Sequence, residues 1–363
     1  MKKLFFITLS ILVSHSIFSQ CNGRYETEIF TSVNKITINY SDVYNDVEHE
    51  MDIYTAEGDT EADRPVIIYM HGGSFYLGDK GMIDCVDFCE SFAKRGYVCA
   101  SINYRLSDMF SFLLSQDVQY QTVLKAVADA KAAVRFFRKD FAENGNTYGV
   151  DPSTIFVGGY SAGGVIAIHQ GFISSLTELP TNLQNLASAI GGTLDGDAGN
   201  NGYSSNVQGV VSLAGGINDI SWIDANDAPI VSAQGTNDNT VSYNCAPGLN
   251  NPAVVNLCGA GEIHPKADDE GIINDVLVFN NTGHNWAASG NSNSLFTQSL
   301  DFFSDFLFPL LPCNNISSDF EVNDNKKLVK VVDVLGREIN ETKNAILFYI
   351  YSNGEVVKRH ILD

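Results

Sequence analysis

The feature that most constrains this chain is an alternation. From about residue 34 to residue 311, short apolar runs bounded by glycine take turns with longer stretches of helical spacing. "PVIIYMHGG" (65–73) reads as a buried strand entering a glycine turn, and "DCVDFCESFAKRGY" (84–97) as a helix ending at Gly96. "VCASINYRL" (98–106) is a strand. "QTVLKAVADAKAAVRFFRKD" (121–140) is a long amphipathic helix with Ala, Val and Phe on one face. "STIFVGG" (153–159), "VQGVVSLAGG" (207–216), "APIVSAQGT" (228–236) and "NDVLVFNNTGH" (274–284) are further strands. "AGGVIAIHQGF" (162–172) and "SNSLFTQSLDFFSDFLFPLL" (292–311) are helices. This order predicts an α/β fold: a mostly parallel central sheet with helices on both faces. The earlier segments "NKITINYSDVY" and "EMDIYTA" alternate with period two and predict an antiparallel start to that sheet. Of the residues, 44% are hydrophobic, enough for such a core.

Two stretches break the alternation, 174–206 and 242–271. Long loops inside a compact domain are commonly lids or binding loops. "DGDAGNNG" (195–202) has a faint likeness to a calcium loop, but it lacks the ligand at the fifth position and the closing Glu. It reads as a plain Gly/Asn loop.

The chemistry is concentrated at three strand ends. "IFVGGYSAGG" holds Gly159-Tyr160-Ser161-Ala162-Gly163, a G-x-S-x-G pattern between a strand and a helix. A serine exposed on such a sharp turn needs neighbours with almost no side chain, and glycine supplies that. A serine alone is a poor nucleophile and needs a base held by a third group. Asp238 in "GTNDNTV" and His284 in "NNTGHNW" each fall just past a strand, in the order Ser, acid, His. In open α/β sheets that edge is where sites form. Taken alone, Asp238 is an ordinary turn residue and His284 an ordinary loop histidine. Their joint placement favours a triad. Of the other histidines, His71 reads as structural, His169 as core or surface, and His49 and His264 as solvated.

An acyl-transfer site also needs donors for an oxyanion. "MHGGSF" (70–75) brings the N–H groups of Gly72 and Gly73 to a strand end without side-chain obstruction, and Ala162 follows the nucleophile. Ser74, Phe75, Tyr160 and Trp286 neighbour these residues and are candidates to contact substrate. Aromatics so placed could stack on an aromatic acyl group, although pocket packing is the commoner role. No cofactor and no metal is expected.

The two ends of the chain carry different signals. "MKKLFFITLSILVSHSIFSQ" has Lys2 and Lys3, an apolar run of about ten residues and small polar residues after it, the pattern of a signal peptide over 1–19 cut after Ser19. The run is too short for a spanning helix, which needs about 20 residues. Lipid attachment at Cys21 is disfavoured by Gln20 before it. Export makes the seven cysteines informative, since an oxidising compartment favours pairing. Cys245 and Cys258 share one Asn/Pro/Gly-rich loop and are expected to pair. Cys99 lies in an apolar strand and reads as a buried thiol. The partners of Cys21, Cys85, Cys89 and Cys313 do not follow from sequence. A net charge of -21 argues against nucleic acid and anionic surfaces as partners. The composition changes after Pro312: 20–312 reads as one domain, 313–325 as a polar linker, and 326–363 as a small β tail with a hairpin turn at "SNGE" (352–355).

Two resemblances add to these readings. "HGGSF", "NYRL" (103–106), "DAKAAVRFFRKD", "YGVDPSTIFVGGYSAGG", "GTNDNTV" and "GHNW" resemble the α/β-hydrolase carboxylesterases with an HGG oxyanion loop, over roughly 35–311. The resemblance implies Ser161 as nucleophile, Asp238 as acid, His284 as base, and Gly72, Gly73 and Ala162 as oxyanion donors. Ser74 departs from the third glycine of the lipase-like members, so the edge of the acyl pocket is expected to differ. The Lys-rich start, "DVLGRE" and aromatic strand of the tail resemble the sorting signal of the type IX secretion system. That implies a secreted or cell-surface protein, with the secretion machinery as a partner. The expected function is a serine esterase acting on a small or polymer-derived ester. Open alternatives are an aromatic-ester or polyester hydrolase, a glycan deacetylase or feruloyl esterase, a serine peptidase of the same fold, and a non-catalytic binding protein.

Overall fold

The computed structural model describes residues 20–314, 328–333, 337, 345–351 and 356–361. The signal segment, most of the linker, Gly336 and the turn at 352–355 lie outside the described residues. β1 (Val33–Asn39) and β2 (Glu50–Ala56) form the antiparallel start, with Val33 opposite Ala56 and Asn39 opposite Glu50. β3 (Arg64–Met70), α1 (Ile83–Lys94) and β4 (Val98–Ile102) follow. Next come α2 (Met109–Leu114), α3 (Gln116–Glu143), β5 (Val150–Tyr160), α4 (Ala162–Phe172) and α5 (Thr181–Leu186). β6 (Gly209–Leu213), β7 (Ile230–Gly235) and a hairpin of β8 (Cys245–Pro247) and β9 (Asn256–Cys258) precede α6 (Ala260–Glu270), β10 (Asn274–Phe279) and α7 (Ser294–Leu307).

Eight strands make one sheet in the order β1-β2-β4-β3-β5-β6-β7-β10. β2 pairs antiparallel with β4, and every pairing from β4 to β10 is parallel. Successive side chains of a strand face opposite sides. Val66, Ile68 and Met70 of β3 therefore join one core with α3, α4 and α6. Ile67 and Tyr69 join the other, with α1 and α7. A covered face on each side explains why these strands read as continuous apolar runs. Each such side chain contributes roughly 1.5–3 kcal/mol of burial.

One expectation is corrected here. Part of the stretch read as a long loop at 242–271 is helix α6, which contains Pro265 and is flanked by Gly259 and Gly271. Proline and glycine mark helix boundaries locally, but Ile263 and Ala267, one turn apart, bury themselves in the core and hold the helix. Cys313, the first residue expected in the linker, is joined to Cys21 by a disulfide. Cys245 and Cys258 pair as expected, and Cys85, Cys89 and Cys99 are buried free thiols. β11 (Leu328–Asp333), β12 (Ala345–Tyr351) and β13 (Val356–Ile361) form a small antiparallel sheet of their own. Among the described residues no helix is long and apolar enough to cross a membrane.

Candidate active site

The site is built from the turn between β5 and α4. Ser161 has φ 56° and ψ -116°, a conformation a side chain rarely adopts. Its N–H donates to Leu213 O on β6 at 2.8 Å, and its carbonyl accepts from Val165 N–H at 2.9 Å. The flanking glycines are a steric requirement. A Cβ on Gly163 would lie 1.9 Å from Met70 O, and one on Gly159 would lie 2.5 Å from the same oxygen. The turn must pass this close to the end of β3, so no larger residue fits.

Two further parallel strands deliver the rest. Asp238 follows β7 and His284 follows β10, so all three side chains meet at the C-terminal edge of the sheet. Ser161 Oγ lies 2.8 Å from His284 Nε2, and His284 Nδ1 lies 2.7 Å from Asp238 Oδ2. The other carboxylate oxygen, Oδ1, accepts the N–H groups of Thr240 and Val241 at 2.8 and 2.9 Å. Asp238 is thus fixed through both oxygens, and it fixes the ring in turn. All three residues are buried.

Gly72 lies against the nucleophile: a Cβ on it would stand 3.4 Å from Ser161 Cβ. Among the described residues the N–H groups of Gly72 and Gly73 donate no hydrogen bond. Ala162 opens α4, where first-turn N–H groups have no carbonyl one turn back. Gly72 and Ala162 thus stand beside Ser161, and Gly73 follows Gly72 in the same loop. The loop is braced by His71, whose Nδ1 meets Gly72 O at 2.6 Å and whose ring stacks on Tyr104 at 4.2 Å. Burial pushes its pKa down to about 4, so the ring is neutral, and its place is structural.

A cleft opens over Ser161. Ser74 and Phe75 line it, as expected, both with positive φ (56° and 66°). Tyr160 and Trp286 do not. Tyr160 stacks on the His284 ring and donates its hydroxyl to His284 O at 3.2 Å. Trp286 is buried edge-on against Phe279. Both are buried away from the cleft.

The remaining wall was not visible in the sequence. Phe112, Gln119 and Val123 come from α2 and the start of α3, and Leu249, Val254 and Val255 from the loop between the half-cystines Cys245 and Cys258. Gln119 is buried and crosses the gap: its Oε1 accepts from Val255 N–H at 2.9 Å, and its Nε2 donates to Ala253 O at 3.2 Å. The cue was an amphipathic helix, whose pattern does not distinguish a core face from a pocket face.

The other histidines sort differently from expectation. His49 and His264 are buried, not solvated. His264 Nδ1 meets Asn274 Oδ1 at 2.8 Å, and burial pushes its pKa down to about 4. Burial pushes His49 down as well, but Asp129 and Asp46 outweigh it and hold it above its usual value. The "DGDAGNNG" loop is anchored by arginines: Asp197 binds Arg105 at 2.8 Å, and Gly199 O accepts from Arg135. Among the described residues no group of three or more His, Cys, Asp or Glu is arranged to hold a metal ion.

A parallel sheet with an antiparallel start, a strained serine after its fifth strand and an acid and histidine after later strands define an α/β-hydrolase fold. Comparison with known proteins agrees. The family described as BD-FAE matches residues 51–194. Gut esterase 1 of Caenorhabditis elegans is 32% identical over 127 residues, 35% of this chain and 20% of that protein. Para-nitrobenzyl esterase of Bacillus subtilis is 35% identical over 102 residues, 28% of this chain and 20% of that protein. The match thus spans about a fifth of the length of these curated relatives. Among solved structures, a truncated form of carbohydrate esterase from gut microbiota covers 77% of this chain and 97% of its own, with TM-score 0.54 and 18% identity. The propionate-bound Est2 esterase of Thermogutta terrifontis covers 75% and 93%, with TM-score 0.55 and 21% identity. At those identities the likeness is one of fold.

Proposed function

We propose that this chain is an exported serine hydrolase of carboxylic esters. The observation that carries the reading is the unbroken contact from Ser161 Oγ through His284 to Asp238, at 2.8 and 2.7 Å, beside unused N–H groups. His284 Nε2 takes the Ser161 proton while Asp238 holds the Nδ1–H tautomer. Oγ bonds to the ester carbonyl carbon, and the oxyanion rests on Gly72, Gly73 and Ala162 N–H groups, each donor worth about 10²–10³ in rate. The C–O bond to the alcohol breaks as His284 returns the proton to it. Water repeats the sequence on the acyl-enzyme, releasing the acid and restoring Ser161. The esterase names of the relatives and of the fold neighbours support the same chemistry. Export rests on the signal-like start and the sorting-like tail, and two disulfides suit an oxidising compartment.

Ser161→Ala is expected to abolish both labelling by a fluorophosphonate probe and the acylation burst with a chromogenic short-chain ester. Retained turnover overturns the assignment. Wild-type turnover of peptides in preference to esters replaces it with a peptidase.

A further inference from the structure

Beside the cleft over Ser161 lies a second, apolar chamber, and Val123 and Asn218 line both. The two spaces share their walls by helical spacing. On α3, Gln119 and Val123 face the first, and Val123 and Val127 the second. On α4, Val165 faces the first, and His169, one turn on, the second. Residues four apart lie on one face of a helix. α3 and α4 therefore form one trench leading away from the nucleophile. Leu179, Leu183 and Leu194, from the 174–206 interruption, close its far side. His169 and Asn218 offer a ligand little: His169 Nδ1 is bonded to Val165 O and its Nε2 to Asn218 Oδ1, while Asn218 Nδ2 donates to Asn256 O.

The direction of the trench identifies its occupant. The alcohol leaves with the proton that His284 Nε2 returns, so the alcohol lies on the His284 side. His284 lines neither space, and the trench runs instead past Ala162 and Val165. We propose that the second chamber is an acyl-chain subsite, and that the acid component of the ester is a linear aliphatic acid of medium length. This rests on the esterase reading above. From Ala162 to His169 the helix advances roughly 10 Å at 1.5 Å per residue, a reach suited to a chain well beyond acetate.

The test is kcat/KM on a series of chromogenic esters with linear acyl groups from acetyl to dodecanoyl. Wild-type values are expected to rise from acetyl to octanoyl by up to about fourfold per methylene. Val127→Phe fills the second chamber and should lower the octanoyl-to-acetyl ratio of kcat/KM at least tenfold, on the same methylene scale. Leu183→Ala enlarges the chamber and should move the optimum to longer chains. A wild-type optimum at acetyl overturns the subsite, as does an unchanged profile in either folded variant. Turnover of no ester at all sinks the esterase reading instead, so the two failures are distinct.

Discussion

Ser161 shows how a single residue is determined by its surroundings. Its positive φ is tolerated because β3, β6 and α4 fix the backbone on both sides, and the glycines at 159 and 163 remove what would collide. The histidines show the converse. "DVEHE" and "GEIHPKADDE" are polar in sequence, yet tertiary packing buries His49 and His264. For His264 this has a measurable sign. Its folded pKa of about 4 lies below the ordinary value of 6.5, so between those pH values the unfolded chain binds a proton the folded chain refuses. Stability from this group is present above pH 6.5 and is lost as pH falls toward 4. Asp84 and Asp227 are pushed up to about 6 and 7 by burial and act in the opposite direction. The test is therefore differential. His264→Gln is expected to cost stability at pH 7 and to recover relative to wild type by about 1.4 kcal/mol per pH unit below 6.5. Urea unfolding at pH 7 and pH 4.5 measures it, and a pH-independent difference refutes a neutral buried His264.

At the scale of elements, the legible parts of the sequence were those whose local pattern and tertiary role agree. The core strands β3, β5, β6 and β7 are apolar because helices cover both faces, and α4 spans the residues its pattern indicated. The contact of Ser161, His284 and Asp238 was legible because each residue follows a strand of the same parallel sheet. The pocket was not, because its wall is assembled from segments far apart in sequence. α3 begins earlier than its amphipathic core suggests: Ser115 accepts from Val118 N–H and caps it, extending the helix to Gln119. From there Gln119 holds the 248–257 loop, whose hairpin is closed by Cys245–Cys258. Gln119 is a positioning residue. Gln119→Leu removes these bonds and the one that Nε2 donates to Phe112 O at 2.7 Å, and leaves Val255 N–H without that partner, at a cost of about 1–3 kcal/mol. KM for a short-chain ester is expected to rise severalfold, while fluorophosphonate labelling of Ser161 at saturating probe is retained. An unchanged KM in the folded variant removes Gln119 from the site.

The whole molecule adds a constraint that neither residues nor elements announce. Cys21 and Cys313 stand 292 residues apart in sequence, and their spacing carries no trace of their pairing. They meet because the first described segment packs on α7: Ser304 Oγ, on that helix, donates to Tyr25 O at 2.7 Å, and the chain then runs from α7 into Cys313. The bridge lines a cleft with Pro65 and Thr154, near the N-terminal ends of β3 and β5. Ser161 stands past the C-terminal end of β5. The disulfide and the Ser161–His284–Asp238 contact therefore lie at opposite edges of one sheet. In the chain-entropy relation, closing so long a loop removes unfolded-state entropy worth about 6 kcal/mol. The double variant Cys21→Ser with Cys313→Ser is expected to lose about 2–5 kcal/mol and several degrees of Tm. Its kcat for a short-chain ester at 25 °C should match wild type, because no contact of Ser161, His284 or Asp238 changes. Reduction of the wild type separates the two bridges: added thiol should move KM through Cys245–Cys258, an effect the double variant retains. A double variant with wild-type Tm removes the bridge from the stability of the fold. One with normal Tm loss but altered kcat shows that the two edges are mechanically coupled.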